Sequence, residues 1–130
     1  VAIKVSYGGH SRQAGMLATQ LAPTAYGGKW TVVVDDDIDP SSLSEVVWAM
    51  GTRSDPATDI ETIRKNWSSK IDPVNRTAPY YNSRAMIDAT IPFEHRETAA
   101  KVAVTSPELR AQMLQKYAAM FREVLGDQVI

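Results

Sequence analysis

The segment Trp30-Thr31-Val32-Val33-Val34, followed at once by Asp35-Asp36-Asp37-Ile38-Asp39-Pro40, restricts the fold more than any other part of the chain. A β-branched run without polar alternation suits a strand covered on both faces, at the centre of a sheet. The carboxylates end that strand, and Asp39-Pro40 offers a helix start. A carboxylate there accepts from first-turn amides, and proline at the first helical position needs no amide hydrogen. Leu43, Val46, Val47 and Met50, with Trp48 and Ala49 beside them, then recur at helical spacing to an end near Gly51. Upstream, Val1 to Tyr7 alternates as a strand and Gly8-Gly9 breaks it. Ala14, Met16-Leu17-Ala18 and Leu21 follow as the apolar face of a helix ended by Pro23. Strand, helix, strand, helix in that order predicts an α/β fold. The expected core is a small, mostly parallel or mixed sheet flanked by helices, with right-handed crossovers.

Downstream the pattern loosens. Asp55-Pro56 opens a turn, and Asp59 to Ile63 is ambiguous between a strand and a helical turn. Lys65 to Asn82 is polar, carries Pro73 and Pro79, and reads as a long loop of the kind that tends to be functional or disordered. Ser83 to Ile91 alternates again as a strand stopped by Pro92. The last element is a long amphipathic helix, with Ser106 as cap, Pro107 and Glu108 in its first turn and Gly126 past its end. Leu109, Met113, Leu114, Tyr117, Met120, Phe121, Val124 and Leu125 form an apolar face wider than one sheet edge requires. An ordinary core helix is one reading; a second stripe packed on another subunit or domain is the other, and the width favours it. The expected division is an α/β domain over residues 1–105 and an oligomer-forming or interdomain helix over residues 106–130.

Composition sets the outer bounds. A chain of 130 residues is one ordinary domain, and 44% apolar with 22% charged residues is the balance of a soluble globular protein. A net charge of -1 gives no electrostatic reason for a nucleic-acid or anionic-membrane partner. No cysteine is present, which excludes disulfides and thiolate metal sites and makes a reducing cytoplasm the expected compartment. No apolar run approaches the ~20 residues of a membrane span. The chain opens inside a strand, without methionine, leader or cap, so a fragment of a longer protein is expected.

Three clusters invite a chemical reading. Asp35, Asp36, Asp37 and Asp39 offer hard oxygen ligands for Mg2+, and the motif is similar to the acidic start of a receiver-type signalling domain. Strand alternation sends Asp35 and Asp37 to one side and Asp36 to the other, so only part of the cluster can converge on one ion. The competing reading is structural: the carboxylates cap the next helix and pair with Arg53 or Arg84. Gly8-Gly9-His10-Ser11-Arg12 is a glycine turn entering a helix, a geometry that presents free amides to an anion, although His10 is equally suited to a cap. His10 and His95 are the only histidines, and neither has neighbours at metal-ligand spacing. No complete catalytic constellation and no metal site is read from the sequence.

Several blocks occur together in a recognisable order: Tyr7-Gly8-Gly9-His10-Ser11-Arg12-Gln13-Ala14, Val32 to Pro40, Glu45-Val46-Val47-Trp48-Ala49 with Thr52-Arg53-Ser54-Asp55-Pro56, and Asn82 to Thr90. Over roughly residues 1 to 95 the chain resembles the C-terminal domain of UbiD-type decarboxylases. That resemblance implies reversible, non-oxidative decarboxylation of an aromatic or heteroaromatic acid, with prenylated FMN, Mn2+ (or Mg2+) and K+ as cofactors. It also implies that the catalytic Glu-Arg-Glu network lies upstream of this chain, so no catalytic residue is expected here and the isolated piece is expected to be inactive. The implied partners are an upstream flavin-binding domain and further copies, as a dimer or hexamer. The implied role is to assemble the enzyme and close over its active site. On the same ground Lys29, in the loop Tyr26-Gly27-Gly28-Lys29, is the candidate contact to the flavin phosphate. Ser69-Lys70-Ile71-Asp72-Pro73 resembles the substrate-pocket lid, which makes Lys70, Ile71, Asp72 and Pro73 candidate substrate-binding residues. The polarity of this loop suits a hydroxylated or heteroaromatic acid better than a hydrophobic acrylate. In the family the Asp cluster belongs to turns and salt bridges. The alternatives are a stand-alone Mg2+-binding receiver-like domain and a small accessory subunit of a decarboxylase complex.

Overall fold

A computed structural model describes residues 1–21, 27–75 and 77–125. The chain divides into two compact units, residues 1–99 and residues 100–130.

The first unit is built on a four-stranded mixed sheet in the order β1-β2-β4-β3. Its strands are β1 (Ala2–Ile3), β2 (Trp30–Asp35), β3 (Ile60–Trp67) and β4 (Tyr81–Ala89). β1, β2 and β4 are parallel, and β3 runs antiparallel to β4 at one edge. The β-branched run therefore does lie inside the sheet, between β1 and β4.

β1 is shorter than the alternation from Val1 to Tyr7 predicts. Its register pairs Ile3 with Asp35, the last residue of β2, so β2 offers no further partner to the chain from Lys4 onward. β3 takes in residues 65–67 of the expected loop. It stays paired through a bulge between Ile63 and Asn66, where Lys65 adopts φ 57°. Arg64 and Lys65 on this edge also discourage pairing with another chain.

Helices α1 (His10–Leu21) and α2 (Leu43–Arg53) cover opposite faces. Successive strand residues point to opposite sides. Val34 and Ala89 pack with Ala49 and Ile38 on the α2 side, whereas Val33 and Met86 meet α1 at Gly15. The expected apolar face of α1 is not the buried one. Ser11, Gly15 and Thr19 face the sheet, while Leu17 and Leu21 are exposed. Small residues at four-residue spacing let the helix axis come closer to the strands than leucines would allow. Pro23, expected to end this helix, lies outside the described residues.

α2 begins later than Asp39-Pro40 suggests. Ser42 is the N-cap and accepts from the Glu45 amide at 3.4 Å, while Glu45 reaches back to the Asp39 amide at 2.9 Å. This is a capping-box exchange, displaced on its return side. Asp39 instead closes a turn on the Ser41 amide and hydroxyl.

In the second unit the expected single helix is two. α3 (Pro107–Lys116) has Ser106 as its cap, accepting from the Leu109 amide at 3.2 Å, and α4 spans Ala118–Leu125. Tyr117 separates them with φ -111° and ψ 21°, outside the helical region. No proline or glycine marks this break. The Lys116 ammonium lies 5.3 Å from the Tyr117 ring centre there. Gly126 lies outside the described residues. Leu109, Met113, Leu114 and Phe121 line an apolar hollow of ≈ 660 Å3 within this unit, and Leu109, Met113, Tyr117, Met120 and Val124 remain exposed.

Candidate functional site

In an open α/β sheet the usual ligand position is the crevice outside the carboxyl ends of the parallel strands. Here that position is occupied by ion pairs. The buried Asp35 carboxylate, at the end of β2, accepts from Arg53 Nη1 at 2.8 Å, from Arg96 Nη2, and from the Ile91 amide at 2.8 Å. Arg53, itself buried, also forms a two-point pair with Asp37 at 2.8 and 2.7 Å. Its guanidinium holds the Asp37 carboxyl below the ordinary carboxylate range.

Asp35 and Asp37 thus do converge, although Asp37 lies in the turn after β2 rather than in the strand, and they meet on an arginine rather than a metal ion. The structural reading of the Asp cluster holds for Arg53. Arg84 is not the partner; it donates to the carbonyls of Thr19 and Trp67, and Arg96 supplies the second cation. Among the described residues no group of three or more His, Cys, Asp or Glu side chains could hold a metal ion.

At the glycine turn before α1 the polar side chains are engaged within the protein. His10 Nδ1 accepts from the Ser6 amide at 3.2 Å, and its ring stacks on Tyr7 with centroids 4.5 Å apart. Arg12 pairs with Glu61 at 2.7 Å. Ser11 donates to Asp88, which also accepts from the amide and hydroxyl of Thr90. These contacts tie the first turn of α1 to the end of β4.

The second arrangement lies at the opposite end of the sheet, where Lys29 leads into β2 and Asn82 is the second residue of β4. Two residues expected in separate roles meet there: Lys29 Nζ is 2.5 Å from Asp72 Oδ1. The Asp72 side chain is fully buried. It also accepts from Asn82 Nδ2 at 3.0 Å, Ser68 Oγ at 3.1 Å and the Val74 amide at 3.2 Å. Asn75 Nδ2 donates to Ser68 Oγ at 2.7 Å and closes the network. Lys70, Ile71 and Pro73, the other expected pocket residues, are exposed on the same loop. Tyr26 lies outside the described residues. Ser68, Asn75 and Asn82 had no signal in the sequence, because a buried polar network is recognisable only once its members are adjacent.

The hydrogen bond from Lys29, ahead of those from Asn82, Val74 and Ser68, holds the Asp72 carboxyl far below its ordinary range, against the desolvation that opposes it. A carboxyl depressed on folding contributes stability that is complete above its unfolded value of about 3.9 and is lost as pH falls through the folded value. Asp72 and Asp37 both carry this sign. Denaturant midpoints are expected to be flat from about pH 7 to pH 5 and to fall steeply below about pH 4. In Asp72→Asn the acid limb should be shallower; an unchanged limb would show that Asp72 contributes nothing to it.

Residues 1–89 match the family described as the 3-octaprenyl-4-hydroxybenzoate carboxy-lyase C-terminal domain. A phenolic acid decarboxylase from Sedimentibacter hydroxybenzoicus is 34% identical over 110 residues, covering 82% of this chain and 22% of that protein. Among solved structures, the UbiD-class enzyme HmfF from Pelotomaculum thermopropionicum, in complex with FMN, is similar with a TM-score of 0.69 and 26% identity. That match covers 89% of this chain and 25% of the other. The closed form of the vanillic acid decarboxylase of S. hydroxybenzoicus gives a TM-score of 0.66 at 27% identity, over 90% of this chain and 25% of that one. The chain therefore spans about a quarter of the length of the relatives it matches.

Proposed function

This chain belongs to the family of UbiD-type carboxy-lyase C-terminal domains, and from that premise we propose that it is the assembling and site-covering unit of a decarboxylase acting on a phenolic or other aromatic acid. The observation that carries this reading is the match of the α/β unit to about a quarter of enzymes named as phenolic acid and vanillic acid decarboxylases, and of a UbiD-class enzyme solved with FMN.

In this reading the rest of the enzyme supplies the prenylated FMN, the Mn2+ or Mg2+ and the K+. The flavin would provide the electron sink for carboxylate loss, and this chain would provide contacts at its margin. Lys29 is the residue that the resemblance points to for the flavin phosphate, but its ammonium is engaged with Asp72. An ammonium has three donors, and one of them is given to Asp72. The fit is therefore marginal, and the described residues do not by themselves form a flavin site. The loop from Ser69 to Pro73 is the proposed contribution to the substrate cover. The exposed apolar side chains of the second unit, from Leu109 to Val124, suit contact with another subunit or domain, in a dimer or hexamer. No described helix is long and apolar enough to cross a membrane, and a cysteine-free chain suits the cytoplasm.

The test is reconstitution. The isolated chain with prenylated FMN and divalent metal is expected to release no CO2 from hydroxybenzoates, whereas a polypeptide that also carries the flavin-binding portion releases it. CO2 production by residues 1–130 alone would overturn the assignment.

A further inference from the structure

We propose that Lys29 is a positioning residue whose ion pair with Asp72 locks the loop between β3 and β4, so that the loop withdraws its carboxylate and presents Ile71 and Val74 to the aromatic acid. The inference rests on the reading of this loop as part of the substrate cover.

The loop is fixed from within. Ser68 donates its amide to Tyr80 O at 3.1 Å, across the neck of the loop. Two turns follow, with the Asp72 amide on Ser69 O at 3.1 Å and the Asn75 amide on Asp72 O at 2.9 Å. These turns carry the Asp72 side chain inward, where four donors converge on it. Its neighbours in the chain are turned the other way: Ile71 is 68% and Val74 74% exposed.

The charge balance follows from the same geometry. An aromatic acid is an anion, and a free carboxylate in its cover would repel it. Lys29 neutralises Asp72 from a position 43 residues earlier in the chain, and the depressed titration of Asp72 keeps the pair ionised wherever the substrate is ionised. A buried carboxylate accepting four hydrogen bonds also has no reason to accept a ring hydroxyl, because each lost bond would leave a donor unsatisfied. Selection by this loop is therefore by apolar contact, from Ile71 and Val74, with Lys70 as the exposed cation nearby.

The experiment uses the complete flavin-loaded enzyme with Lys29→Met, Lys29→Arg, Asp72→Asn and Ile71→Ala. Amide exchange over residues 68–75, flavin content by absorbance, and KM and kcat for benzoates with and without ring hydroxyls are measured together. Lys29→Met and Asp72→Asn are each expected to accelerate exchange in the loop by roughly tenfold or more. Both should raise KM more than they lower kcat and leave flavin content unchanged, with Lys29→Arg recovering most of the loss. Ile71→Ala should raise KM without loosening the loop. If Lys29→Met sheds flavin while loop exchange is unaltered, Lys29 is a phosphate contact and the lock is wrong. If loop exchange rises but neither the lock variants nor Ile71→Ala alter KM, the lock stands and the loop's place over the substrate falls. Should Lys29→Met fail to fold, the isosteric Asp72→Asn carries the same comparison.

Discussion

Asp35→Ala is expected to lower the unfolding free energy by about 3–5 kcal/mol, the cost of removing one partner from a buried ion pair. Asp35 is the shared acceptor of Arg53, Arg96 and the Ile91 amide. Its loss leaves the buried Arg53 with half its compensation and removes the tie between the end of β2 and the chain after β4. Asp37→Ala removes a carboxylate from the same arginine, and with better two-point geometry. Its side chain, however, is 52% exposed. Water replaces what it gave, and the expected loss is below about 1 kcal/mol. Urea unfolding of the two variants side by side measures the difference. Equal losses would mean that Arg53 is held from solvent-exposed Asp37 rather than from within. Since a whole domain is stable by only about 5–15 kcal/mol, the first substitution should bring a large unfolded population within reach of mild denaturant.

How much of this was legible in the sequence depends on how far apart the interacting groups lie. The interior strand could be read because consecutive β-branched residues carry their own evidence, and so could the cap at Ser106. The convergence of Asp35 and Asp37 was anticipated from strand alternation, although the turn after β2 is what brings Asp37 to the same arginine. What failed was any inference that needed a distant partner. β1 was over-extended because its length depends on where β2 stops. The first half of β3 was ambiguous between strand and helical turn and its end, from Lys65, was read as loop, because the bulge there interrupts alternation and only the register against β4 restores it. Lys29 and Asp72 were each singled out, but for separate ligands. Their pairing spans 43 residues and no local pattern encodes it. The break at Tyr117 has no proline or glycine to announce it.

The misread face of α1 leads to the second large effect. Gly15 sits where the helix approaches the sheet, and a Cβ there would lie 2.6 Å from Val33 Cγ2, 2.7 Å from Met86 Cγ and 2.9 Å from Met86 Sδ. Met86 is flexible, but Val33 is β-branched and wholly buried, so the contact cannot be relieved at both sides. Alanine gains about 0.8–1 kcal/mol over glycine in helix propensity, and overpacking costs about 1–3 kcal/mol. The clash wins, and Gly15→Ala is expected to destabilise; Gly15→Val, which adds two further methyls, should do so more severely. Gly51 in α2 provides the control, since a Cβ there meets nothing within 4 Å. Gly51→Ala should stabilise by about 0.5–1 kcal/mol. The gap between the two alanine variants in thermal or urea unfolding isolates the steric contribution, because the propensity gain is common to both. If Gly15→Ala proved as stabilising as Gly51→Ala, α1 would not be packed on the sheet through its small-residue stripe. In that case Leu17 and Leu21, rather than Ser11, Gly15 and Thr19, would be the residues that hold it there.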